Sequence, residues 1–210
     1  MVDVGANIGA LSIMAARAVG SMGRVVSVEP QPDLVERIRV SCTLNNIANV
    51  EVYPVGLSDA DRTAKLSVPA NNSGYGSLQM QYGPAESGRS VDVPLRHAGA
   101  FLTEAVGVGP LRLLKIDVEG HEAAVMRGAR SWLESHLAEF VLFEVGAGKA
   151  FWSREEVSIL ADLGYKFLGV PHVAFKMRLV PLPHRTDMSD LDIRDVLAYH
   201  ESADVSCVNQ

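Results

Sequence analysis

The stretch Val2-Asp3-Val4-Gly5-Ala6-Asn7-Ile8-Gly9 decides how the rest of this 210-residue chain is read. A short β-branched run ends on one glycine, a second glycine follows four positions later, and the apolar segment Ala10-Leu11-Ser12-Ile13-Met14 comes next. This is the pattern of a strand that turns sharply into a helix, with glycines where the backbone needs left-handed angles. Asp3, two residues before the first glycine, poses the question of which ligand such a turn would serve.

Working outward, short apolar runs alternate with amphipathic stretches, the pattern of a parallel sheet covered by helices on both faces. After a helix at 10–19, the run at 24–28 reads as a strand closed by Glu29-Pro30. Residues 32–45 place Leu34, Val35, Ile38 and Cys42 at helical spacing. A third strand at 50–55 runs into Gly56-Leu57-Ser58-Asp59. A fourth, at 111–116, is closed by Asp117-Val118-Glu119-Gly120 and followed by a helix with Val125, Ala129, Trp132 and Leu133 on one face. A fifth strand is expected at 139–144 and a helix at 154–163. A closing antiparallel pair is expected at 165–170 and 173–180, around Pro171-His172. The sequence therefore predicts one doubly wound α/β domain over 1–180, then a polar, acidic tail over 181–210 with a helix at 190–199. Residues 69–90, rich in Gly, Ser and Asn without a clear period, read as either a substrate-side lid or a floppy insertion.

Composition narrows the function. With 48% hydrophobic and 21% charged residues, the chain can bury a substantial core. A formal net charge of −6 argues against a nucleic-acid partner, which would require a basic face. Cys42 and Cys207 stand in unrelated contexts, so neither a disulfide framework nor a zinc site is expected, and a reducing compartment is the simpler reading. No apolar run reaches about 18 residues and no leader pattern is visible, so no membrane partner and a cytoplasmic location are expected.

The acids are the most informative residues. Asp3, Glu29, Asp59, Asp117 and Glu144 each fall at or just beyond the carboxyl end of an expected strand, the edge where open α/β sheets bind ligands. A dinucleotide loop reads GxGxxG so that a pyrophosphate can approach the backbone. Here the spacing is Gly5-x-x-x-Gly9 with a carboxylate ahead of it, which suits a cationic, phosphate-free cofactor. S-adenosylmethionine carries a sulfonium and an ammonium and no phosphate. Glu29, twenty residues past Gly9, is placed to accept hydrogen bonds from both ribose hydroxyls, and this favours a ligand over a tight turn without one.

VDVGANIG, VSVEP, the stretch from Asn45-Asn46 to VYPVGLSD, and LLKIDVEGHEAAVMRGA together resemble the FkbM-type methyltransferases over roughly residues 2–144. KIDVEGHE is the most specific part. The resemblance implies the Rossmann-like class I methyltransferase fold, a mostly parallel seven-stranded sheet with one antiparallel strand near its C-terminal edge. It also implies transfer of a methyl group from S-adenosylmethionine to a hydroxyl of a small molecule such as a sugar or secondary metabolite. Carried over by position, Asp3, Gly5, Asn7 and Gly9 would hold the methionine moiety and Glu29 the ribose. Leu57 and Ser58 would lie beside the adenine, and Asp117 would face the transferred methyl and the acceptor. Two departures stand out. A Thr-Leu-Asp turn usual in such families is replaced by Pro94-Leu95-Arg96-His97-Ala98-Gly99, with the expected loss of a helix cap. The several dozen residues that usually precede the glycine loop are absent before Met1, so the domain is expected to lack its N-terminal cover or to start inside a longer product.

The chemistry needs a base at the strand edge to take the acceptor's proton. Candidates for it are Asp117, Glu119, His121 and Glu122, with Glu144 on the neighbouring strand, and of these Asp117, His121 and Glu144 are taken as catalytic. His121 titrates near neutrality but stands in the first turn of a helix, where a solvated polar residue is equally natural. Lys115 points to the same side of its strand as Asp117 and can pair with it. Asp117, Glu119 and Glu144 offer oxygens to Mg²⁺, but no spacing fixes three ligands, and no metal site is expected. His97, His136, His172, His184 and His200 show no ligand pattern. The competing readings are a nicotinamide-dependent oxidoreductase, a nucleic-acid methyltransferase, and a cofactor-binding or scaffold domain without turnover.

Overall fold

A computed structural model describes residues 1–70, 76–78, 88–107, 109–136, 138–145, 151–171, 179–183, 193–201, 203 and 205. The glycine turn forms as read. Strand β1 (Val2–Val4) leads into helix α1 (Ala10–Val19), and β2 (Val25–Val28) leads into α2 (Pro32–Leu44). β3 (Val50–Tyr53) and β4 (Gly56–Ser58) follow, then the long strands β5 (Arg62–Pro69) and β6 (Gly88–His97). α3 (Ala98–Val106), β7 (Leu111–Ile116), α4 (Glu122–His136) and β8 (Ala138–Glu144) come next. The chain continues through α5 (Glu155–Asp162), β9 (Tyr165–Pro171), β10 (Val180–Pro181) and β11 (Ile193–His200).

The main sheet has the order β10-β9-β11-β8-β7-β1-β2-β3. Strands β3, β2, β1, β7 and β8 run parallel, and β11 is antiparallel to both of its neighbours. This is the doubly wound sheet that was expected, with the two-residue β10 added at one edge. The order reverses between β1 and β7, so the carboxyl ends of those two strands open the crevice where such sheets take ligands. β1 is completely enclosed there despite its three residues, with Val2 and Val4 inside the main core.

Three stretches differ from the sequence reading. The residues expected as a helix in a polar tail form β11, inserted between β8 and β9. Val196 and Ala198 are buried while Leu197 is half-buried, the alternation of a strand, and the segment is paired on both sides. The segment at 62–97, read only as a loop with flanking residues, contains the antiparallel pair β5–β6, which joins β4 in a separate three-stranded sheet with its own core of Leu66, Val68, Val93 and Leu95. The helix cap expected to be missing is supplied by His97, whose Nδ1 accepts from the backbone N–H of Ala100 at 3.3 Å at the start of α3. Most of the second closing strand, together with His172, His184 and Cys207, lies outside the described residues.

Val125, Ala129, Trp132 and Leu133 of α4 are all buried against the sheet, as their spacing predicts. α1 is different: Leu11 and Met14 stay exposed. No helix among the described residues is long and apolar enough to cross a membrane.

The α4 interface with β4 depends on one small residue. A Cβ on Gly128 would lie 2.2 Å from the carbonyl oxygen of Ser58. Gly128→Ala is therefore expected to destabilise the fold by about 1–3 kcal/mol through overpacking. Urea unfolding reads this directly, and a change below about 0.5 kcal/mol would contradict the packing described.

Candidate cofactor site

At the switch point the glycine loop, the end of β2 and the turn after β7 enclose a cavity of about 290 Å³. Gly5, Asn7 and Gly9 all take positive φ, at 75°, 54° and 80°, which winds the chain from β1 into α1 within five residues. The loop is fastened to β2 by the N–H groups of Gly5 and Ala6, which both donate to the carbonyl of Val28 at 2.9 and 3.1 Å. On its other side it lies against the turn after β7: a Cβ on Gly5 would sit 1.8 Å from the carbonyl oxygen of Asp117. Only glycine fits there.

Glu29 is where the sequence placed it, just past β2, buried and lining the cavity. Its Oε2 accepts from Asn7 N–H at 2.9 Å and its Oε1 from Gln31 N–H at 2.8 Å, so two backbone donors fix the plane of the carboxylate. Burial pushes its pKa up to about 7, against the pull of those two N–H groups and of Lys115.

Asp3 lies inside the main sheet, paired in register with Lys115. It is fully buried and does not line the cavity. Its Oδ2 accepts from Ser12 Oγ at 2.6 Å, and its Oδ1 lies 3.1 Å from Lys115 Nζ. The cation that this carboxylate meets is thus supplied by the chain itself. Lys115 Nζ also donates to the carbonyl of Gly5 at 2.8 Å, lies 3.4 Å from that of Val4 and 3.5 Å from Asp117 Oδ2. The expected pairing of Lys115 with Asp117 is present, but the closer partners are Gly5 and Asp3. Gly9 also shapes the site without lining it: as N-cap of α1 it leaves no room for a Cβ against Ile38 of α2.

Leu57 lines the cavity and Ser58 does not. Ser58 Oγ is buried in a polar knot, 3.1 Å from Asp59 Oδ1, 3.0 Å from His121 Nε2 and 2.9 Å from Arg62 Nη2. Asp59, one of the five strand-end acids, is held by Arg62 and Arg127 away from the cavity, and those partners keep its pKa low, at about 2. His121 borders the cavity but is not the solvated helix start considered from the sequence. It is buried, its Nε2 is engaged by Ser58, and burial followed by the charge of Arg62 lowers its pKa.

The remaining acids surround the turn after β7. Asp117 and Glu119 line the cavity, whereas Glu144, at the end of β8, does not. Burial raises the pKa of Glu144, with Asp117 and Glu122 adding to it. Glu122 closes the turn by accepting from Val118 N–H at 2.9 Å and Gly120 N–H at 3.3 Å. Glu119, one of the candidate bases, lies in the same turn. Its φ is 53°, its carbonyl accepts from Ser77 Oγ at 3.0 Å, and burial followed by Asp117, Glu144 and Glu122 raises its carboxyl to about 7. Ser77 is tied by a reciprocal backbone pair to Ser67 of β5, and its neighbours Gly76 and Leu78 line the cavity. That part of the 69–90 stretch therefore belongs to the site. Among the described residues no three His, Cys, Asp or Glu side chains are grouped to hold a metal ion.

Two outcomes are expected. Lys115→Met strands the buried Asp3 carboxylate and should cost about 3–5 kcal/mol. Pairing it with Asp3→Asn should recover most of that loss in chemical unfolding, whereas additive losses would contradict the coupling. The carboxyl of Glu29 is also raised above its unfolded value. The stability it contributes is thus complete below about pH 4.5 and lost as pH rises through about 7. The pH profile of Glu29→Gln should lack that share of the decline, and a profile parallel to wild type would contradict it.

With this geometry established, three comparisons place the chain. The model of the FkbM methyltransferase domain matches residues 3–167. A curated relative named Methyltransferase 1, from Beauveria bassiana (strain ARSEF 2860), is 27% identical over 143 residues, which cover 61% of this chain and 57% of the relative. The chain thus spans little more than half of that protein's length. Among solved structures, Methyltransferase FkbM from Methylobacillus flagellatus KT superposes with a TM-score of 0.54 at 16% identity, covering 95% of this chain and 43% of the other. A putative rRNA-methylase from Clostridium thermocellum superposes with a TM-score of 0.53 at 14% identity, covering 96% and 86%. These two show the shared class I methyltransferase fold, and the domain match over most of the chain shows that it belongs to the FkbM methyltransferase family.

Proposed function

We propose that the chain binds S-adenosylmethionine in the cavity at the β1–β7 switch point and transfers its methyl group to a hydroxyl of a small molecule, such as a sugar or secondary metabolite. The observation that carries this reading is Glu29: a buried carboxylate facing the cavity, oriented by two backbone donors, at the end of the second strand. A vicinal diol is the natural complement of such a group.

The rest of the donor set fits the same ligand. Glu29 would take the ribose hydroxyls, and Leu57 would lie against the adenine. Asn7 and the first turn of α1, whose N-cap Gly9 offers no side chain, would take the methionine end. Asp117 would face the transferred group. Glu29, Asp117 and Glu119 line the cavity, while Lys115, its one lysine or arginine among the described lining residues, is spent on Asp3 and the Gly5 carbonyl. That balance favours a cation and disfavours the pyrophosphate of a nicotinamide dinucleotide. It also weighs against a nucleic-acid acceptor, as does the net charge of −6. When bound, S-adenosylmethionine supplies a methyl carbon activated by a sulfonium. The protein must hold the acceptor oxygen in line with that carbon and remove its proton. A cytoplasmic setting is part of the same reading.

Titration calorimetry with S-adenosylhomocysteine and with NAD separates the candidates. Binding of the first and not the second is expected, and the reverse would overturn the assignment. Glu29→Ala should weaken S-adenosylhomocysteine binding by about 1–3 kcal/mol through loss of charge-assisted hydrogen bonds. Screening hydroxylated metabolites with methyl-labelled cofactor then distinguishes an O-methyltransferase from a binding domain without turnover.

A further inference from the structure

We propose that Glu119 receives the proton of the acceptor hydroxyl, with Asp117 held beside it as a positioning group; this rests on the cofactor reading above. The carboxylates around the crevice have separate occupations. Asp3 is buried and paired with Lys115. Glu29 is bound by Asn7 and Gln31, and Glu122 by Val118 and Gly120. Asp117 stands 3.5 Å from the Lys115 ammonium, in an ion pair with it. Glu144 lies off the cavity wall. Glu119 alone of this group both lines the cavity and, among the described residues, has a carboxylate held by no hydrogen bond or ion pair.

The backbone keeps it there. A non-glycine residue at φ 53° is in the left-handed region, a strained choice that persists only where the surroundings impose it. Here they do so from both sides: Ser77 Oγ holds the Glu119 carbonyl, and the Glu122 carboxylate collects the N–H groups of Val118 and Gly120 on either side. The same turn abuts the glycine loop, since the space next to Gly5 is bounded by the Asp117 carbonyl and the Val118 side chain. A methionine moiety laid on that loop would present its sulfur to the 117–119 turn. Burial and the neighbouring Asp117, Glu144 and Glu122, opposed by Lys115, raise the Glu119 carboxyl to about 7, a value suited to accepting a proton near neutrality.

In the step, Glu119 receives the hydroxyl proton while the acceptor oxygen closes its bond to the methyl carbon. The neutral thioether leaves with the carbon–sulfur electron pair, and water afterwards takes the proton from Glu119.

The test is a binding experiment that needs no acceptor. Sinefungin carries a protonated amine at the position of the transferred methyl, so its preference over S-adenosylhomocysteine reports an anionic group at that point. With the full chain, Glu119→Gln should lower sinefungin affinity about tenfold or more and leave S-adenosylhomocysteine within about twofold. Glu119→Asp, which keeps the charge, should retain part of the preference. Equal changes for both ligands, or a preference lost in Asp117→Asn and kept in Glu119→Gln, would overturn the proposal. If wild-type protein binds neither ligand, the cofactor reading itself fails, and the proposal with it.

Discussion

An ammonium group enclosed by two carboxylates and two main-chain carbonyls holds the ligand side of this protein together. Lys115 and Asp3 face each other in register on the adjacent parallel strands β7 and β1, so the pair forms only when the sheet has the correct order. Taking both charges out of water is costly, and their attraction largely offsets that cost without adding much net stability. What the pair does supply is definition. With Nζ also bonded to the Gly5 carbonyl, the first residue of the glycine loop is pinned to the end of β7, and the whole crevice takes its shape from that point.

The remaining features follow from the pinned loop. Once Gly5 is pressed against Asp117, Asn7 is carried across to Glu29 and fixes that carboxylate in the cavity. The internal ion pair also changes the electrostatics of the site. Because Lys115 is balanced by Asp3, the carboxyl groups left on the cavity wall are those of Glu29, Asp117 and Glu119. Glu29, past β2, lies far in the chain from Asp117 and Glu119, which share the turn after β7, and the switch point brings the two places together. Gly76 and Leu78, on either side of Ser77, add an outer wall to the cavity beside the small β4-β6-β5 sheet.

Much of this was legible in the sequence. The strand–turn–helix at residues 2–19, Glu29 at the end of β2 and the buried face of α4 all follow from local patterns that the tertiary structure obeys. What local pattern did not reveal has a common physical origin. Asp3 looked like a ligand for an external cation because its internal partner is 112 positions away and visible only through sheet register. Ser58 looked like an adenine neighbour, but its hydroxyl faces inward to His121 and Asp59, and backbone position alone does not reveal this. β11 looked helical because its period of two is confined to Val196, Leu197, Ala198 and Tyr199, in a stretch that otherwise reads as a polar tail. β5 and β6 do show alternation, with Leu66 and Val68 buried between more exposed neighbours, but the signal is short and adjoins a Gly- and Ser-rich stretch. Glu119 was one of several candidate bases, and its left-handed backbone has no signature in composition or spacing to single it out.

The most direct measurement is a crystal structure of the chain grown with S-adenosylhomocysteine. The expected result is a ligand in the β1–β7 crevice with both ribose hydroxyls on the Glu29 carboxylate and its homocysteine end on the glycine loop. Lys115 should still be bound to Asp3 and to the Gly5 carbonyl. An adenosine bound elsewhere, or a Lys115 that leaves Asp3 to meet the ligand, would contradict it.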